Sequence, residues 1–181
     1  KDRHHAILRW MCMGSALFNY ETQQGPSVAW SLSKLERKIY PNDDEYIEAM
    51  DNHFQYFNTT TAMANIILGA TDAMEEKDGI KSKDAVQALK TSLMGPFAGV
   101  GDTIIWILLP TVMGSIAGYM ALQGNPIGAI IWILIGMLLF WIRIKLFDLG
   151  YNSGVKLVTE LGDKLTLFTD AVSVMGLTVV G

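Results

Sequence analysis

Cysteine is nearly absent: Cys12 is the single one in 181 residues, which excludes a disulfide framework and a cysteine-rich zinc site. Charge is scarce as well, at 18% against roughly 25% in an ordinary soluble domain. Basic residues do not outnumber acidic ones, and the net charge of −4 leaves no cationic face to displace phosphate counterions, so nucleic acid is not an expected partner. Phosphate-binding loops, nucleophile elbows, HExxH helices and paired His/Cys metal spacings are all missing. No cofactor, metal or catalytic residue is therefore expected, and the chain by itself is read as non-enzymatic. It opens on Lys1-Asp2-Arg3, without an initiator Met or a signal peptide, and stops at Val179-Val180-Gly181. Trimming at both ends is the expectation.

What charge there is sits in the first half. Residues 1–90 hold 23 of the 32 charged residues, and one charge, Asp102, lies between Lys90 and Arg143. Residues 103–142 carry none. About 20 apolar residues cross a bilayer core as a helix, so this stretch predicts two transmembrane helices, 103–122 and 127–142, joined by the turn Gln123-Gly124-Asn125-Pro126. The second is short unless Arg143 and Lys145 snorkel to the interface. A buried hairpin in a soluble protein is the alternative, but a chain of this size has too little other mass to cover it. Lys77, Lys81, Lys83 and Lys90 precede the hairpin, Arg143, Lys145 and Lys156 follow it, and the turn has no basic residue. The positive-inside rule then puts both flanks in the cytoplasm and the turn outside.

Residues 1–90 read as amphipathic helices that need lipid or a partner. Residues 6–20 are mostly apolar. Val28, Leu32, Leu35 and Ile39 recur at helical spacing, with Lys34, Glu36, Arg37 and Lys38 on the other positions. Pro41 ends that helix, and Asn42 with Glu45 suggests a capping box for a helix over 43–57. Further helices are expected at 62–76 and from a Ser82 cap through residue 93, then at 151–161 and 165–180 beyond the hairpin. The class is all-α: a single 1–181 membrane domain with amphipathic and re-entrant-type segments, a Gly/Pro-rich loop at 91–102, a hairpin at 103–147 and a C-terminal helical region at 148–181.

Several residues are candidates for function. Gly95, Pro96, Gly99 and Gly101 predict an irregular backbone beside the hydrophobic region, tolerated there inside protein or around a polar cavity. Asp102 either faces a substrate or caps the following helix. His53, Asn58 and Thr59 offer uncharged donors and acceptors suited to the hydroxyls of a neutral sugar, although Asn-Thr after a helix also commonly terminates it. Gly114 and Gly118 form a small-xxx-small pattern that lets helices pack closely. Cys12 reads as inert core, His4 and His5 as exposed, and Glu75-Glu76 as a solvated helix end.

Taken in order, His53-Phe54-Gln55-Tyr56-Phe57-Asn58-Thr59, Ile67-Leu68-Gly69, Ala73-Met74-Glu75-Glu76 and the run from Leu93 to Thr103 closely resemble the IID component of the mannose/fructose/sorbose family of bacterial phosphotransferase systems (PTS). Phe18-Asn19-Tyr20-Glu21, Ile39-Tyr40-Pro41 and Asp148-Leu149-Gly150-Tyr151 extend the resemblance along the chain. Thr61 stands where the family usually has proline, and the family's further hydrophobic C-terminal region is missing, so a fragment is expected. The resemblance implies a multi-pass subunit of the bacterial inner membrane in a hetero-oligomer. Its partners would be membrane lipid, a IIC subunit, cytoplasmic IIA and IIB components that pass phosphate from phosphoenolpyruvate, and a sugar. Asn58 and Thr59, with His53 and Asp102, would form the substrate-binding set. A scaffold that only docks IIC, or an independent pore or anchor, are the competing readings.

Overall fold

Helices dominate because apolar positions recur at helical spacing from one end of the chain to the other. The computed structural model describes the backbone of residues 2–180 and the side chains of residues 2–153 and Glu160. The elements run α1 (Asp2–Met13), α2 (Gly25–Ile39), α3 (Asp43–Phe54), α4 (Thr61–Asp78), a 3-10 turn (Gly79–Ser82), α5 (Lys83–Gly101), a π-helical segment (Asp102–Leu108), α6 (Leu109–Leu122) and α7 (Ile127–Val180). Among the described residues there is no β-strand, only isolated bridges at Asn19, Gln23 and Phe57. The all-α class is therefore observed.

Local chemistry explains the boundaries. Asn42 caps α3, accepting from the backbone N–H of Asp44 (2.8 Å) and Glu45 (3.2 Å), which satisfies two of the otherwise orphan donors of a first turn. Helix α3 stops at Phe54 rather than at 57, because residues 55–58 leave it to meet the α1–α2 connection. Gly79 ends α4 at φ +57°, and Gly124 turns the hairpin at φ +75°, conformations that suit residues without a Cβ. Ser82 does not cap α5 through its side chain; its hydroxyl donates to Gly79 O at 2.7 Å.

The Gly/Pro-rich loop expected at 91–102 is instead helix. α5 continues through Gly95, Pro96 and Gly99 to Gly101 and passes directly into the π-helical turn. Where α5 passes into the π-helical turn, Thr103 Oγ1 donates to Gly99 O (2.8 Å), and the Asp102 N–H is shared between Ala98 O and Gly99 O. A side-chain hydroxyl thus joins the backbone ladder where it changes pitch. Beyond the hairpin, 151–161 and 165–180 are not separate helices but parts of α7; the side chains there, Lys156 and Asp170 included, lie outside the described residues.

A buried core joins α1, α2, α4 and α5 to Phe147 of α7 around Trp10, Leu32, Ile66, Ile67, Leu68 and Phe97. Two glycines set the closest contact. A Cβ on Gly69 would stand 2.2 Å from Phe147 O, and one on Gly150 would stand 2.0 Å from Ile66 O, so α4 and α7 touch backbone to backbone. Gly114 and Gly118 meet nothing within 4 Å; Gly69, Gly150 and, inside the hairpin, Gly128 against Ala117 are among the glycines at close contacts within the described residues.

The hairpin is the opposite of a core. Trp106 is 63% exposed and Met137 65%, and the runs Thr61–Leu122 and Ile127–Ser153 each contain an 18-residue window long and apolar enough to cross a membrane, at mean hydropathy 1.7 and 2.3. A water-facing surface this apolar is unstable, while a bilayer covers it without cost.

Candidate functional site

The polar linker at 57–60 is built like a strand. Phe57 is fully buried against Trp10, ring centroids 6.4 Å apart. Asn58 points outward, and Thr59 is buried again. Gln24 holds this linker from both sides: its Nε2 donates to Thr59 O (2.8 Å), and Thr59 N donates to its Oε1 (3.1 Å). Gln24 N and Phe57 O are bonded at 2.8 Å. A side-chain amide thus stands in for a neighbouring strand and fixes where Asn58 presents its own amide.

Thr60 connects this linker to the π-helical turn. Its Oγ1 donates to Asp102 Oδ1 at 2.6 Å, a charge-assisted bond. Gly101 permits the approach, since a Cβ there would lie 2.4 Å from Thr60 Oγ1. Asp102 is otherwise exposed, and it lies where a π-bulge opens the helix, a feature common at functional sites. Beside it, a cavity of about 350 Å³ lies between Thr60–Met63, Ile104–Trp106 and Gly136–Leu146. Its walls are apolar apart from Thr60, Thr61 and Arg143, which suits a lipid chain or an apolar side chain better than a sugar.

The four residues expected to contact sugar therefore divide. Asn58 and Asp102 are exposed on the elements that Thr60 ties together. Thr59 is 4% exposed with an unpartnered Oγ1. His53 has no exposure; its Nε2 lies 3.0 Å from Glu75 Oε2 and 3.6 Å from Glu36 Oε1. It belongs to the core and not to a ligand-facing surface. Burial by itself would favour neutral imidazole, but the charges of Glu75 and Glu36 outweigh it and hold His53 at about 9. Burial pushes the Glu36 carboxyl up, with His53 pulling against it, and pushes the Tyr40 phenol up with help from Glu75 and Glu36.

Other sequence expectations need correction. Glu75 is not solvated but 2% exposed, while Glu76 binds Arg3 Nη2 (2.6 Å) and the Tyr151 hydroxyl (2.5 Å). Cys12 is exposed rather than core; His4 and His5 are exposed as expected. Sequence reasoning missed Gln24 and Thr60, which carry no motif of their own. It also placed Glu36 on a polar face. Position 36 follows Leu32 by four and precedes Ile39 by three, so a charge there stands on the apolar stripe; that was the available signal.

Comparison with known proteins completes the picture. The family model described as the PTS system mannose/fructose/sorbose family IID component matches residues 1–181. The sorbose-specific EIID component of Klebsiella pneumoniae is 31% identical over 174 residues, covering 92% of this chain and 62% of that protein. The mannose-specific EIID component of Escherichia coli is 33% identical over 192 residues, covering 96% and 65%. The chain thus spans a little under two thirds of these curated relatives. A cryo-electron-microscopy structure of the mannose transporter ManYZ in complex with a microcin contains a chain similar to this one, with TM-score 0.78 and 30% identity over 99% of this chain and 68% of that one.

Proposed function

This chain belongs to the mannose/fructose/sorbose family of PTS IID components, and from that membership we propose that it is the membrane subunit which, with a IIC subunit, forms the translocation unit for a hexose or related sugar. It sits in the bacterial inner membrane as a multi-pass protein. Cytoplasmic IIA and IIB components deliver the phosphoryl group, and this chain carries none. The choice of contact residues in this chain rests on the Thr60–Asp102 bond at 2.6 Å, which couples the linker bearing the exposed Asn58 amide to the irregular turn at the head of the apolar hairpin.

Asn58 and Asp102 are the sugar-facing groups of this chain, offering an amide and a carboxylate to hydroxyls. Gln24, Thr59 and Thr60 position them. Two such groups do not enclose a sugar, so the remainder of the site comes from the IIC partner. Gly114 and Gly118, open on their own side, are the face on which a partner helix packs. The placement of His53 and Thr59 in the interior favours a structural role for those two residues, which a pure scaffold would share; Asn58 and Asp102 separate the readings.

The test is phosphoenolpyruvate-dependent sugar uptake in cells holding matching A, B and C components but no D component. They receive this chain, or this chain extended by the remaining third of a relative. Uptake restored by either version supports the assignment. Absence of uptake with both, when both reach the membrane with IIC, rejects it.

A further inference from the structure

Glu36 of α2, His53 of α3 and Glu75 of α4 come from three different helices and converge in the interior, where none is more than 2% exposed. One atom from each lies within 4.8 Å of the other two. Both carboxylate oxygens of Glu36 have no hydrogen-bond partner, and neither does the buried hydroxyl of Tyr40. A buried carboxylate with no donor is costly unless a positive charge supplies what water gave it; without metal that charge is the His53 imidazolium, one cation facing two carboxylates. Lys90, a buried cation near Glu75, makes its hydrogen bond outside the cluster: its Nζ donates to Asn52 O at 3.1 Å and lies 5.7 Å from the centre of the Phe57 ring.

We propose that Glu36, His53 and Glu75 form a structural site for a divalent transition metal, zinc being the best chemical match, that fastens α2, α3 and α4 together. The donor set of one imidazole nitrogen and two carboxylate oxygens is one that zinc accepts. With bonds of about 2.0–2.1 Å, tetrahedral donors stand roughly 3.3 Å apart, and the observed His53–Glu75 and His53–Glu36 separations of 3.0 and 3.6 Å bracket that edge. Charge balances also once the metal displaces the His53 proton to solvent: two carboxylates, a neutral imidazole and a dication sum to zero, as a dry interior requires. The site is separate from the Asn58–Asp102 surface and does not depend on the transport assignment.

Zinc chloride is the probe, and the sample is the full chain purified in detergent with its IIC partner. Metal content after chelator treatment, zinc loading and gel filtration should be one zinc per chain. The exposed His4 and His5 could also take up zinc, so zinc loading is compared on the unmodified chain and with both replaced by Ala, and the remaining arms use the Ala background. In that background zinc should raise the thermal midpoint, and Glu36→Gln should weaken zinc affinity at least about a hundredfold, beyond the 10–100-fold cost of an outer-shell partner alone. Cobalt loaded into the unmutated site, with a second carboxylate oxygen or a water as fourth donor, should show the visible spectrum of a four-coordinate nitrogen–oxygen site, a readout that needs no core variant. Folded complex without bound metal, zinc lost on removing His4 and His5 alone, or an unchanged affinity in Glu36→Gln would each overturn the proposal.

Discussion

At the scale of single residues, burial decides what each polar group does. Asn58 and Thr59 are neighbours in sequence, but the linker alternates faces, so one is exposed and the other is locked under Gln24. Sequence chemistry named both as sugar contacts because donors and acceptors are legible from residue type; exposure is not, since it depends on Gln24 reaching across 35 positions. His53 was named for the same reason and lies in the core beside Glu75 and Glu36. Its raised value has a consequence when metal is withheld. A group held at about 9 against roughly 6.5 in the unfolded chain stabilises fully below 6.5 and loses that contribution as pH rises through 9. The thermal midpoint of chelator-treated complex should therefore fall between pH 6.5 and 9.5, and His53→Gln should flatten that slope. An unchanged slope in the variant would show that the pH dependence comes from other groups.

At the scale of elements, helix positions could be read from periodicity, and the Asn42 cap and the Gly124 turn follow from their residues. The stretch 91–102 could not, because glycine and proline state only that a regular helix is disfavoured. Thr103, whose hydroxyl donates to Gly99 O, and Asp102, whose N–H is shared between Ala98 O and Gly99 O, show how the helix persists. Packing glycines posed a related difficulty: the small-xxx-small pattern pointed to Gly114 and Gly118, while the contact inside the chain uses Gly69 and Gly150, far apart in sequence and without a shared motif. Gly69→Val should accordingly force α4 from α7 and destabilise the chain by about 3 kcal/mol or more, overpacking against backbone exceeding the usual 1–3 kcal/mol range. Gly114→Val should leave the chain's own thermal midpoint within about 1 °C but reduce co-purification of the IIC partner. Equal loss of stability in the two variants would contradict this division.

At the scale of the whole molecule, a charged and buried-core half joins an apolar hairpin whose side chains are exposed. That contrast was legible from charge alone, because a bilayer selects against ionisable groups so strongly that 40 uncharged residues leave few other readings. The basic flanks predict the orientation. In a Cys12→Ser background, needed because Cys12 is exposed, a cysteine placed at Gln123 should react with an impermeant thiol reagent on intact cells. Reaction only after lysis would invert the topology.

The central claim is that this chain touches the sugar as well as supporting its partner. Uptake measured over a range of sugar concentrations, with Asn58→Ala in an otherwise complete system, tests it most directly. Loss of a hydrogen bond worth about 1 kcal/mol should raise the half-saturating concentration severalfold, about fivefold, with the amount of assembled complex in the membrane unchanged. A saturation curve identical to that of the unmodified chain would contradict the account and leave the chain a scaffold.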